Sequence, residues 1–117
     1  MTLIPITTES HDVAIDIKYA TTDNFTGKPV YARPGCYLLD EAEVLFRRAI
    51  DLARIQGWHF LVFDAFRPSE AQFKMWAHTP DPDFLADPNR GSPHSRGVAI
   101  DLTLVETATD EILDMGT

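Results

Sequence analysis

The residues best suited to chemistry lie in one short stretch, Gly91-Ser-Pro-His-Ser-Arg-Gly-Val-Ala-Ile-Asp101. From Val98 the pattern alternates: Val98, Ile100, Leu102 and Leu104 fall on one side, Gly97, Ala99, Asp101 and Thr103 on the other. That is the period of a strand. Asp101 therefore belongs to the less apolar face, and His94 precedes the strand across a turn eased by Gly97. An imidazole and a carboxylate converging where no bulky side chain intrudes are two ligands of a zinc-type site. A catalytic zinc takes a third protein ligand, so the pair is only part of a centre. The same spacing also describes a plain loop histidine and a half-exposed strand aspartate, and spacing alone does not separate the two readings.

Arg67 is the second candidate. It follows the apolar run Trp58 to Phe63 in Asp64-Ala-Phe-Arg-Pro68. A side chain at the end of a buried strand is rigidly held yet reaches a surface cleft. A guanidinium there suits the oxyanion formed when water attacks a peptide carbonyl. The alternative is an ion pair with Asp64 that pins the turn. Asp64 in turn either orients Arg67 or caps the turn that follows.

Ser92-x-His94-x-x-Gly97-x-Ala99-x-Asp101 resembles the SxHxxGxAxD signature of the zinc D,D-peptidases. Three blocks are similar to the D-alanyl-D-alanine dipeptidases of the VanX type: Lys18-Tyr-Ala-Thr-Thr-Asp-Asn-Phe-Thr-Gly27, Asp64-Ala-Phe-Arg-Pro68, and His94-Ser-Arg-Gly-Val-Ala-Ile-Asp-Leu-Thr103. The matches keep the family's order from Tyr19 to Gly116. The resemblance implies one zinc ion held by His94, Asp101 and a further histidine. It implies Arg67 as the oxyanion partner and Tyr19 and Ser92 as substrate-pocket residues, while Asp64 stays open between orienting Arg67 and capping the turn. On their own, Tyr19 reads as core packing on the apolar side of a strand, and Ser92 as a loop-stabilising hydroxyl. The implied reaction is zinc-dependent hydrolysis of the dipeptide D-Ala-D-Ala to D-alanine. A truncated, inactive relic and a related D,D- or L,D-peptidase acting on muropeptides are the alternatives.

The resemblance also implies a Glu-x-x-His element carrying the general base and the third ligand. None of Glu9, Glu41, Glu43, Glu70, Glu106 and Glu111 precedes a histidine by three residues, and no histidine follows Asp101. The expectation is one zinc D,D-dipeptidase domain over residues 1–117, incomplete at its C-terminus. The missing element then belongs to a longer enzyme or to an associated chain, and a homo-oligomer is a further possibility. Apolar surface around Trp58 to Phe63 is expected to lie bare in such a domain.

At 117 residues there is room for one core and no second domain. Hydrophobic residues at 44% and charged ones at 24% describe a globular chain. A formal charge of −8 argues against nucleic acid and anionic membrane surfaces, which both call for Lys/Arg patches. The lone Cys36 cannot form an internal disulfide, and Met1 to Ser10 has neither a basic nor an apolar leader segment. The expected compartment is the cytoplasm.

Several elements must position these residues. Val13, Ile15, Ile17 and Tyr19 alternate as in a half-buried strand. Asp40-Glu-Ala-Glu43 resembles a capping box, followed by Ala42, Leu45, Phe46, Ala49, Leu52 and Ala53 at helical spacing up to Gly57. Trp58 to Phe63 reads as a strand covered on both faces. Ser69 with Gln72 opens a second helix that ends before Pro80. Residues 79–96 carry four prolines and read as a long surface excursion. Val98 to Val105 and Glu111 to Met115 pair around Thr107 to Asp110. His11, His59 and His78 read as surface, sheet-margin and helix-end residues. The resulting class is α+β, a mostly antiparallel sheet flanked by helices, and the resemblance implies the Hedgehog/DD-peptidase-like fold.

Overall fold

Two small sheets and three helices make up a mixed α+β domain in the computed structural model, which describes residues 2–32 and 35–115. In chain order these are β1 (Leu3–Pro5), α1 (Thr8–His11), β2 (Ala14–Ile15), a 3-10 turn (Lys18–Ala20), β3 (Tyr37–Leu39), α2 (Asp40–Ile55), β4 (Trp58–Asp64), α3 (Ser69–His78), β5 (Asp101–Glu106) and β6 (Glu111–Ile112). β1 pairs antiparallel with β3, and β2-β4-β5-β6 form the main sheet. Within it β2 runs parallel to β4, and the other pairings are antiparallel. Gly116, the last residue of the resemblance, lies outside the described residues.

The core forms where α2 packs on β4. Val62 is fully buried, and Phe46 stacks on Phe60 with ring centroids 5.6 Å apart. Ile6, Val13, Ile17, Cys36, Leu38, Ile50 and Ala65 complete the buried cluster. The inward stripe of α2 is Glu43, Phe46, Ile50 and Ala53, so Leu45 and Leu52, expected inside, are 64% and 66% exposed. Two apolar stripes overlap on this helix. The Phe46–Phe60 stack, with a buried bond to Glu43, selects one of them. The expected capping box does not form, because Glu43 is used elsewhere and the N-cap Leu39 has no side-chain bond. Trp58 to Phe63 is half-buried to buried rather than bare, and the exposed large apolar residues are Val44, Leu45, Leu52 and Ile55 on α2 together with others scattered elsewhere, among them Phe73, Phe84 and Val98.

His11 corrects the expectation of a surface histidine. It is 4% exposed, stacks near Phe46, and places Nε2 2.7 Å from Glu43 Oε2, while Ser10 Oγ meets its Nδ1 at 2.6 Å. Arg47 Nε also donates to Glu43. Burial pushes the Glu43 carboxyl up, but the bonds from His11 and Arg47 outweigh it and hold the group below its ordinary value. A carboxyl whose value is lower folded than unfolded contributes stability that is complete above about 4.3 and lost as pH falls through the folded value. Glu43→Gln is therefore expected to cost about 1–3 kcal/mol near neutrality. It should also flatten the acid limb of stability against pH. Urea titrations from neutral pH to about pH 3 test this, and parallel limbs in the two proteins would refute it.

The strand carrying Asp101 is shorter than its alternation suggests. Val98 to Ile100 precede β5, and residues 92–97 close into a turn through Arg96 N to Ser92 O (3.1 Å), Gly97 N to His94 O (3.1 Å) and Val98 N to Pro93 O (3.1 Å). Gly97 has φ +76°, and a Cβ there would meet Leu39 N and Leu3 Cδ2 at 3.1 Å, so both conformation and packing demand glycine. The expected β5–β6 hairpin is present, with Glu106 opposite Glu111 and Asp110 at φ +59° in its turn.

Candidate active site

Asp64 ends β4 and Asp101 begins β5, and the two are cross-strand partners at a register shift. The antiparallel ladder alone thus brings two carboxylates from distant sequence to one end of the two inner strands. His94 arrives from the 92–97 turn, which is fastened to the segment leaving β4. Arg67 N donates to His94 O at 2.9 Å, and His94 Nδ1 bonds Ala65 O at 2.8 Å. A carbonyl only accepts, so Nδ1 carries the proton and Nε2 is turned to Asp101 Oδ1, 3.3 Å away. A backbone carbonyl fixing the far ring nitrogen is the usual support of a metal-binding imidazole.

Electrostatics bind this pair together. Burial pushes the His94 imidazole down, but its bonds to Asp101 and to the Ala65 carbonyl more than offset that and raise it above its ordinary value. The same bond from His94 holds the Asp101 carboxyl below the usual carboxylate range, against partial burial. In the absence of a cation the two face each other directly, Nε2 to Oδ1 at 3.3 Å. A divalent ion would take the place of the shared proton.

Asp64, His94 and Asp101 offer donor atoms within 4.8 Å of one another. Asp64 is already committed. It is fully buried, its Oδ2 accepts Arg67 Nε (3.1 Å) and Nη2 (2.7 Å), and its Oδ1 accepts Tyr31 Oη (2.6 Å) and Ala65 N (3.0 Å). That saturates the carboxylate. His94 Nε2 and the half-exposed Asp101 carboxylate are the donors left for a metal. One nitrogen and one carboxylate suit zinc better than the all-oxygen shells of magnesium or calcium. The residues present thus fit two corners of such a centre.

Arg67 is 4% exposed, and Nη2 lies 3.8 Å from Asp101 Oδ2. Burial opposes its charge, yet Asp64 beside it raises its pKa further. The ion pair with Asp64 and the reach towards Asp101 coexist on Nη2, which carries two N–H groups. Tyr19 sits in the 3-10 turn rather than on a strand, with its ring 5.2 Å from the Arg67 guanidinium carbon. With Phe63 and Asp101 it lines a cleft of about 370 Å³, whose rim carries Lys18, Asp23 and Asn24. Ser92 is 2% exposed, and its Oγ accepts the N–H of His94 at 3.2 Å, so it shapes the turn presenting the imidazole.

The remaining histidines lie apart from this cluster. His59 bonds Thr107 at the sheet margin, and His78 ends α3 against Phe25. Cys36 is buried, and burial together with the Asp64 charge pushes its thiol up to about 12, which rules it out as a nucleophile at neutral pH. Two members of the cluster carried no sequence signal. Tyr31 donates to Asp64. Gln72, read as part of a helix start, instead meets Arg67 Nη1 at 2.7 Å.

The chain is 43% identical over 105 residues to the D-alanyl-D-alanine dipeptidase of Escherichia coli (strain K12), covering 90% of this chain and 54% of that protein. It is 40% identical over 129 residues to the enzyme of the same name from Enterococcus faecium, covering 91% and 62%. It is 36% identical over 126 residues to that of Enterococcus faecalis (strain ATCC 700802 / V583), covering 91% and 62%. The chain thus spans a little over half the length of these curated relatives. The profile of the metallopeptidase family Peptidase M15, described as D-ala-D-ala dipeptidase, matches residues 1–117, and the chain belongs to that family.

Proposed function

We propose that this chain carries the metal and oxyanion half of a zinc-dependent D-Ala-D-Ala dipeptidase. The observation behind this reading is the convergence of His94 Nε2, the Asp101 carboxylate and the Arg67 guanidinium within 4 Å contacts. Zinc held by His94 and Asp101 would supply Lewis acidity to the scissile carbonyl and to the attacking water. Arg67 turns an Nη2 N–H towards the position where the carbonyl oxygen gains charge, inside a low-dielectric pocket where such a bond is strong. Tyr19 lays its ring against the guanidinium, 5.2 Å from its carbon to the ring centroid, and shields it from water. Lys18 lines the same cleft, with its Nζ paired to Asp16 (2.8 Å) and Asp23 (2.9 Å). The third ligand and the general base would come from a Glu-x-x-His element outside these residues. An acidic chain with one buried cysteine suits the cytoplasm, and among the described residues no helix is long and apolar enough to cross a membrane.

The test is D-alanine release by the protein expressed from its gene, with zinc content measured alongside. D-Ala-D-Ala should be cleaved and L-Ala-L-Ala left intact, and a chelator should abolish turnover. The 117 residues expressed alone should bind zinc weakly and release no D-alanine. Preference for a muropeptide stem over the free dipeptide would replace this reading with the broader D,D- or L,D-peptidase one. Zinc binding without hydrolysis of either substrate would leave a non-catalytic relic.

A further inference from the structure

Gln72 stands one turn into α3 and is 1% exposed. It packs beside Ala71 and Met75, which form a small apolar cluster with Val30 and Leu85. A primary amide in such surroundings is costly unless both ends are bonded, and here both are. Its Oε1 accepts Arg67 Nη1 at 2.7 Å, and its Nε2 donates to Ala86 O at 2.8 Å. The arginine can only donate and the carbonyl only accept, so the orientation of the amide is unambiguous. Ala86 belongs to the excursion that runs on to Ser92 and His94.

Asp64 grips Arg67 along one edge, through Nε and Nη2. A guanidinium held on one edge alone still swings about that edge. The bond to Nη1 secures the opposite corner and leaves the second Nη2 N–H facing Asp101. We propose that Gln72 is the positioning residue for Arg67: its amide fixes the guanidinium towards the His94–Asp101 pair and ties the 79–91 excursion to it. The inference rests on the dipeptidase reading for its kinetic consequence, and on geometry alone for the hold on Arg67.

Three variants of the gene-expressed protein separate these parts. Q72L keeps the volume and removes both polar ends, and Q72M serves the same purpose where Q72L does not fold. Q72E keeps an acceptor for Nη1 and loses the donor to Ala86. Misplacing a catalytic group by about 1 Å costs up to roughly 10²-fold. Q72L (or Q72M) should therefore lower kcat about 10-fold or more with KM within about 2-fold, and Q72E should recover most of that loss. In an Arg67→Ala background, Q72L should add less than about 2-fold. An equal loss with and without Arg67 overturns the proposal. Side-chain ¹⁵N NMR reads the hold directly, independent of any hydrolysis. The Arg67 Nε–H and Nη signals, sharp and exchange-protected in the parent, should broaden in Q72L and persist in Q72E. Arg67 signals unchanged in Q72L (or Q72M) overturn the proposal even if the protein proves to hydrolyse nothing. Absent hydrolysis alongside the expected loss of those signals refutes the dipeptidase reading and leaves the hold standing.

Discussion

Arg67→Ala lowers kcat by on the order of 10²-fold or more while bound zinc is retained; this is the first expected result. The figure is that of removing one preorganised donor from an oxyanion site. The proposed metal donors His94 and Asp101 are side chains of other segments, so zinc content should hold. Because Asp64 is fully buried and bonded to both edge nitrogens of Arg67, the alanine variant also strands a carboxylate. A stability loss of about 3 kcal/mol is expected from breaking such a pair on one side. Arg67→Lys separates the effects: it keeps a charge against Asp64 but cannot serve Asp64, Gln72 and a substrate oxygen together. It should recover much of the stability and little of the turnover. Steady-state kinetics, metal analysis and thermal melts read the three quantities. Unchanged turnover in Arg67→Ala would reduce the residue to a turn-pinning ion pair.

The second large effect is on metal affinity. His94→Ala and Asp101→Ala should each weaken zinc binding by more than about 10²-fold. Losing a mere supporting bond to a ligand already costs about 10–100-fold, and in the proposed centre these residues supply the donor atoms themselves. The fold should tolerate both changes. The backbone bond from Arg67 N to His94 O does not depend on the imidazole, and Asp101 is half-exposed. Losing the ring bond to Ala65 O should cost only about 1 kcal/mol. Competition with a chromophoric chelator measures the affinity. Parent-like zinc binding in either variant, with the fold intact, would exclude that residue as a ligand.

Much of the site could be read along the chain, and the reason is local. His94 and Asp101 sit seven residues apart around a turn that only Gly97 permits, so their proximity is written in a few consecutive residues. The hairpin at Thr107 to Asp110 and the end of α2 at Gly57 are local for the same reason. The sequence alone therefore determined the α+β class, the order of the long elements, the family, and the candidate pair with Arg67 nearby. Tertiary structure decided the rest. Which stripe of α2 faces inward turned on Glu43 finding His11 from 32 residues away, a bond that no periodicity encodes. That Asp64 serves Arg67 followed from four donors converging on one carboxylate, one of them from Tyr31, 33 residues distant. Gln72 acquired its partners only when the excursion carrying Ala86 folded back over α3. Spacing records what a turn or a helix face imposes on neighbours in the chain. A buried polar group is satisfied by whichever partner the packed fold delivers, and that choice is made across the whole domain.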